Sequence, residues 1–576
     1  MPNRGSRTPW LLLALAVLAG TALYLPALGY DFSWDDEQLI TANPDIRAGS
    51  PSALFGRPFL AAGHGSASRR VAYYRPLAAL SFWLDHRVWG MRPRGFHLAN
   101  VLLNGLVLAL FGLLLLELFR REGRFRPWPA LLGVLAFAAH PVHVESVAFI
   151  SGRTDLLAAV FVLAAVLLIR RNRAPLFVVL AAASFGLALL AKEVAILFPA
   201  VAALMLGWSK EERFRSLLAV GLLVAVAAGY LALRSSVLGA TLPATAGLVG
   251  QRLLLVANAL GRYALMMVFP FRHRLLWPDA LEFARVGWPT AAGVLLLGGL
   301  GWLAWRRRRT ATGTGAAWTL AFLLPAANLF DIGSSLLAER LLYLPTAGAV
   351  LLAVGAGTGL RNRRPRQALA WLLAGYVAVM AFAAWSRMPV WRDNLVLFRA
   401  AVVEAPESAD AHLNLGAALF RVGDLVGAER EFRQAAALRP AEPIARNNLG
   451  DLLRRRGRLD SAAAELRAAV ELDPGYAEAW GNLGIVHSLA GRNDSAFAAL
   501  ARARELNPGL AAVHINLGNV FVALGRPDSA KAALWTAARL APDRPEPFVN
   551  LERLYRALGQ PDSAEVARRA MPRGQP

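Results

Sequence analysis

Long apolar runs alternate with short polar connections through roughly the first two thirds of the chain, and a bilayer crossing needs about 20 largely apolar residues. Runs that meet this lie at 10–28, 98–119, 129–148, 154–169, 175–190, 193–208, 216–234, 288–305, 314–330, 341–360 and 368–386. From about residue 409 the pattern changes to one that repeats every 34 residues. These two regimes predict an all-α chain: a polytopic membrane domain of about 11 spans over 1–389, a joining segment at 390–408, and a helical solenoid over 409–576.

The repeat is strict. Asn-Leu-Gly begins at Asn414, Asn448, Asn482 and Asn516, with Asn550-Leu551-Glu552 closing the series. Proline recurs at 406, 440, 474, 508 and 542, glycine at 423, 457, 491, 525 and 559, and alanine at 428, 462, 496, 530 and 564. This pattern resembles the tetratricopeptide repeat, about five copies of it, with 390–408 as the second helix of a half repeat. The small residues let paired helices approach, the central glycine makes the turn and the proline ends the second helix. Stacked pairs present an extended concave surface. The five asparagines 414, 448, 482, 516 and 550 share one position on the first helix. A primary amide both donates and accepts, so this ladder can hold the backbone of an extended peptide. The same amides can equally serve hydrogen bonds within the repeats.

Charge orients the membrane part. The chain carries a formal +23, but the clusters Arg120-Arg121, Arg170-Arg171, Arg306 to Arg309 and Arg361 to Arg366 sit between apolar runs, as cytoplasmic loops do. No basic patch interleaved with aromatics points to nucleic acid. With the N-terminus inside, every one of these clusters falls on the cytoplasmic side if residues 251–270 are re-entrant or lie on the outer surface, and the solenoid is then outside. Arg4 and Arg7 precede a first run read as an uncleaved span. The absence of cysteine excludes disulfides and thiolate chemistry.

The unusual polar residues collect on the outer side. Tyr30-Asp31-Phe32-Ser33-Trp34-Asp35-Asp36-Glu37 crowds carboxylates at the mouth of the first span. Then come Asn43-Pro44-Asp45, Tyr74-Arg75-Pro76-Leu77, Gly95-Phe96-His97, His140-Pro141-Val142-His143-Val144-Glu145, Ser151-Gly152-Arg153-Thr154-Asp155, Lys192-Glu193, Arg234, Asp331 and Ala338-Glu339-Arg340. Charges at membrane depth persist where they satisfy one another or serve a substrate. His140 and His143 lack a third ligand at matching spacing and are read as hydrogen-bonding groups, with no metal site assigned. Lys192-Glu193 and Glu339-Arg340 can be structural ion pairs or substrate contacts.

The order of these motifs, with the repeats attached, resembles the transmembrane and tetratricopeptide-repeat-containing O-mannosyltransferases of the GT-C superfamily. The resemblance implies a multispanning enzyme that moves a sugar, mannose, from a polyprenyl-phosphate carrier to Ser or Thr hydroxyls of a protein docked on the repeats. It implies Asp35 as the base, with Asp36 sharing or orienting that role. Arg75, Arg153, Lys192, Arg234 and Arg340 are the candidates for the donor phosphate, and His97, His140, His143 and Glu339 complete the donor-site set. A single displacement at the anomeric carbon inverts it. No cofactor is expected, and metal dependence stays open. The Ala- and Arg-rich composition reads as a bacterial inner-membrane protein with its repeats in the periplasm. The competing class is a non-enzymatic membrane-anchored scaffold, which needs one or two spans rather than eleven.

Overall fold

The computed structural model describes residues 8–572 except 48, 63–70, 122–126, 172–173, 207–212, 240–248, 272–273, 277–285, 328–336 and 359–362. Arg4, Arg7, Asp331 and Arg361 lie outside the described residues. The described residues are helical, apart from connections and a two-stranded pairing of Leu60–Ala62 with Val71–Tyr73. It divides into two compact units, one of Met1–Ala61 with Val71–Ala405 and one chiefly of Pro406–Pro576.

In the first unit, seven described helices are long and apolar enough to cross a membrane: Pro9–Gly29, Pro93–Arg120, Ile150–Arg171, Arg213–Leu238, Trp288–Arg306, Glu339–Thr358 and Gln367–Trp391. They coincide with seven of the eleven apolar runs. The remaining four runs form shorter helices, and two of the reasons are visible in the sequence. His140-Pro141 stops the helix Pro127–Ala138 and the chain restarts as His143–Ala148, because the residue before a proline is pushed out of the helical region. Lys192-Glu193 separates Pro175–Ala191 from a 3-10 turn at Glu193–Leu197 and the helix Phe198–Met205. The fourth is Ala311–Ala326, 16 residues long.

Residues 251–268 of the 251–270 segment fall in the helix Val249–Val268, which packs backbone to backbone on Trp288–Arg306. A Cβ on Gly261 would lie 2.0 Å from the Pro289 carbonyl oxygen, and one on Gly293 would lie 1.9 Å from that of Ala257. Only glycine permits that approach, the usual way apolar helices gain contact where no hydrophobic force drives them together.

The second unit is five helix pairs, running from Ala409–Arg421 with Leu425–Leu438 to Glu546–Ala557 with Pro561–Ala570. Within each pair the turn glycine (423, 457, 491, 525 or 559) has φ between 69° and 84°, a conformation other residues resist. The glycine of each Asn-Leu-Gly faces the second helix so closely that a Cβ on Gly484 would meet Leu500 Cγ at 2.5 Å. Gly484→Val should therefore overpack this seam and lower stability by about 1–3 kcal/mol, read as a lower melting temperature of the 406–576 repeats by circular dichroism.

Candidate active site

Just past the first span the chain makes a strained turn. Trp34 has φ 50°, the one positive-φ position among the described non-glycine residues. Two residues later Asp36 turns inward and is fully buried. Its Oδ2 accepts from the Ser33 amide at 3.0 Å, and its Oδ1 accepts from the Ser151 amide at 2.9 Å and the Ser151 hydroxyl at 2.5 Å. Burial pushes the Asp36 carboxyl up to about 7, the charge of Asp35 adding to this and the Ser151 and Ser33 bonds opposing it. Asp36 thus ties the loop to Ser151 at the head of the helix Arg153–Arg171.

Asp35 is half-buried. Burial raises its pKa, and the guanidiniums of Arg340 and Arg75 pull it back. The cations beside it come from breaks between helices, where the backbone leaves the regular ladder. Arg75 precedes the helix Pro76–Trp89 and grips Glu193 with two bonds, Nη2 to Oε1 at 2.6 Å and Nε to Oε2 at 3.1 Å. Lys192 Nζ donates to both oxygens of Asp155, at 2.6 and 2.7 Å. Arg340, in the 3-10 turn Glu339–Leu342, binds Glu145 through its side chain and through its backbone amide at 2.9 Å. Its guanidinium lies 5.7 Å from the centre of the Trp34 ring.

Lys192 feels the charge of both Arg75 and Arg340, so the three ion pairs lie within electrostatic reach of one another, and Asp35 within that of Arg340 and Arg75. Gathering cations at this depth requires a carboxylate for each, since an unpaired buried charge is strongly destabilising. Bidentate Arg–carboxylate geometry also fixes where each guanidinium points. The group therefore offers one carboxylate within reach of oriented cations, which suits deprotonating a hydroxyl beside an anionic leaving group.

Other residues named from the sequence take different places. Arg153 is sequestered: it pairs with Asp85 at 2.6 Å and donates to Asn100 Oδ1 at 2.7 Å and the Phe96 carbonyl at 2.8 Å. Its guanidinium also lies 4.6 Å from the centre of the Phe82 ring. His140 Nε2 meets the Met267 carbonyl at 3.0 Å, and His143 Nε2 meets the Thr346 hydroxyl at 2.6 Å. Among the described residues no three His, Cys, Asp or Glu side chains converge on a metal position. His97 is buried edge-on to Tyr30, 6.2 Å between rings. Arg234 lies one turn after the buried Tyr230, whose hydroxyl is also within the electrostatic reach of Arg75 and Glu193. Glu339 is buried within reach of Glu145 and Arg387.

The repeat asparagines are half-buried at equivalent places. Asn414 and Asn516 donate to the carbonyls of Asp410 and Ala512, at 2.8 and 2.7 Å. Asn482 donates to Asn447 and Asn550 to Asn519, at 2.9 and 3.0 Å, while Asn448 Oδ1 accepts from Asn447 at 3.3 Å. Glu193 was read with Lys192 as an ion-pairing or substrate-contacting group, whereas Glu145 and Asp155 were legible only as parts of the motifs around His143 and Arg153. Asn394, which bonds the Asp35 loop from about 360 residues away, gave no signal in the sequence.

Tetratricopeptide repeat profiles match residues 396–443, 421–477, 447–511 and 487–547. The mouse protein O-mannosyl-transferase TMTC4 is 28% identical over 471 residues, 70% of this chain and 63% of that protein. The Caenorhabditis elegans protein O-mannosyl-transferase F38B6.6 is 27% identical over 455 residues, 76% of this chain and 63% of its own. The chain is similar over most of its length to proteins named protein O-mannosyl-transferases. Human TMTC2, of the same family, is 37% identical over 151 residues, 26% of this chain and 17% of its own. The chain thus spans a little under two thirds of the length of the TMTC4 and F38B6.6 proteins. Among solved structures, the crystal structure of MamA is 26% identical over 27% of this chain and 91% of that one, with a TM-score of 0.25. A thermophilic TPR protein of Thermus thermophilus is 27% identical over 28% and 88%, with a TM-score of 0.26.

Proposed function

We propose that the chain is a membrane glycosyltransferase moving mannose from a polyprenyl-phosphate carrier to Ser or Thr hydroxyls of a protein acceptor, with inversion. The observation that carries this reading is the half-buried Asp35 carboxylate within the electrostatic reach of Arg340 and Arg75, in a chain similar to O-mannosyl-transferases. Asp35 takes the acceptor hydroxyl proton as its oxygen attacks the anomeric carbon. The bond from that carbon to the phosphate oxygen breaks, and polyprenyl phosphate leaves with the electron pair. Arg75, Lys192 and Arg340, with Arg234 at the border, hold the growing phosphate charge, an electrostatic role of the kind that lowers such barriers most. Asp36 orients the loop. No step in this scheme uses a cofactor. The scheme divides the work between a membrane domain, 1–389, and the repeats, 409–576, both the site and the repeats facing the outer side, a bacterial periplasm by composition.

The test is direct: membranes containing the chain, given polyprenyl-phosphate [³H]mannose and a serine-rich protein, should label the protein, and unconsumed donor would overturn the transferase reading. In this proposal the carbonyl oxygens of the repeat asparagines take peptide N–H groups of the acceptor. Deleting 409–576 should then leave transfer to a short serine peptide in place and lower transfer to the full-length protein acceptor by tenfold or more, about 1.4 kcal/mol of docking energy. Equal turnover of both acceptors would remove the docking role.

A further inference from the structure

The side chain of Asn394 reaches the Asp35 loop with both ends of its amide. Its Oδ1 accepts from the Trp34 backbone amide at 2.6 Å, and its Nδ2 donates to Glu37 Oε1 at 2.9 Å. One primary amide thus clips the first and last residues of Trp34-Asp35-Asp36-Glu37. It is itself held at the start of the helix Asn394–Glu404, where Asp393 caps by accepting from Val396 at 2.9 Å. The backbone of the same strap is fixed to the loop at a second point, Asp31 donating to the Arg392 carbonyl at 2.9 Å.

The clip bears on a strained position. A bulky residue in the left-handed region persists only where its surroundings over-determine it. The Trp34 indole is stacked 6.0 Å from Phe149 and 6.4 Å from Trp391, with Phe149 and Trp391 themselves 5.1 Å apart. The rings hold the indole, and Asn394 holds the peptide plane before Trp34. On the other side of Asp35, Asp36 is fixed by Ser33 and Ser151. Pinning Trp34 and Asp36 fixes the backbone on both sides of Asp35, whose carboxylate lies within the electrostatic reach of Arg340 and Arg75.

We infer that Asn394 is a positioning residue for sugar transfer: its amide locks Trp34 in the left-handed turn and thereby aims Asp35 at the reacting hydroxyl. The inference rests on the reading of Asp35 as the base. Asparagine is the side chain this role needs. Aspartate at the same position keeps the bond from Trp34 but sets a second carboxylate against Glu37, and alanine loses both bonds.

The experiment uses the full-length chain in detergent or liposomes, with short-chain polyprenyl-phosphate mannose and a serine peptide. Asn394→Asp should lower kcat by tenfold or more with the donor KM within twofold, at an unchanged yield of folded protein. It should also move the acid limb of the rate profile, because the aim of Asp35 relative to Asp36, Arg75 and Arg340, the charged groups that face it, sets that limb. Adding Glu37→Gln rebuilds the bridge with donor and acceptor exchanged, and should return both kcat and the limb toward those of the parent. A role confined to stability would lower yield and leave the limb where it was. The inference is overturned if Asn394→Asp matches the parent in kcat and limb, or if its loss is not returned by the second substitution. Asp35→Asn assayed alongside separates the two readings. An active Asp35→Asn removes the base itself, whereas an inactive one beside a normal Asn394→Asp removes only the positioning role.

Discussion

Asp35→Asn is expected to reduce transfer by about 10²–10⁴-fold while the protein still inserts and folds. The substitution keeps size and shape and removes only the ability to take a proton. Its backbone contribution, the Asp35 carbonyl accepting from the Leu39 amide at 2.9 Å, is untouched. Asp36→Asn should behave differently, since its carboxyl accepts three bonds from Ser33 and Ser151, and an amide would turn a donor against N–H groups. The pH dependence separates the two carboxyls further. Burial raises Asp35 above the ordinary carboxylate value of about 3.9, despite Arg340 and Arg75. Its protonated form is inactive as a base, so the rate should climb with pH through that raised value, and Asp35→Asn should remove the limb. For Asp36, raised to about 7 mainly by burial, the folded chain holds the proton to higher pH than the unfolded chain does. That contribution to stability is fully present below about 4 and is gone once pH has risen through about 7, so melting temperature should fall from about pH 4 to about pH 7 and level off above. Rates against pH with a fixed mannosyl donor, and melting in the same buffers, check both.

Periodicity carried the fold further than it carried the site. The repeat was readable because each 34-residue unit repeats the same contacts: Gly484 against Leu500 recurs at Gly450 against Leu466 and Gly518 against Leu534. The membrane spans were readable where apolar length alone decides. Where a polar break such as His140-Pro141 or Lys192-Glu193 interrupts the apolar sequence, the helices are shorter than the apolar runs suggest. Those breaks are also where the ion pairs are built, which is why the motifs were visible while their pairing was not. Lys192-Glu193 and Glu339-Arg340 were readable as groups that pair with other helices or contact substrate, but the partners were not. The structure supplies three of them, Lys192 with Asp155, Glu193 with Arg75 and Arg340 with Glu145. Neighbours at a helix break point in different directions, so sequence adjacency is a poor guide to ion pairing there. Asn394 was silent for a related reason: its partners, Trp34 and Glu37, lie at the far end of the unit and no spacing rule links them.

Arg153 and Arg340 were equal candidates by motif, and lysine substitutions should part them. Arg153 is 1% exposed and uses three nitrogens in divergent directions, Nε to Asn100, Nη2 to Phe96 and Asp85, and Nη1 to Ser81. An ammonium is a single point and cannot serve all of these at once. Arg153→Lys keeps a positive charge for Asp85 but leaves buried acceptors such as Asn100 Oδ1 and the Phe96 carbonyl unmet, each costing about 1–3 kcal/mol. The expected result is a clear fall in melting temperature and yield, with an unchanged donor KM in whatever protein survives. Arg340 is half-buried, beside Asp35 and Trp34. Arg340→Lys keeps a positive charge for Glu145 but loses the planar fork, so the protein should melt near the parent temperature while transfer falls by about 10²-fold or more, as when one oriented donor is removed from a charge-stabilising site. Melting in detergent and initial rates over a range of polyprenyl-phosphate mannose concentrations read both effects. A stable Arg153→Lys protein with a raised donor KM would return Arg153 to the donor site, and a fully active Arg340→Lys protein would take Arg340 out of it.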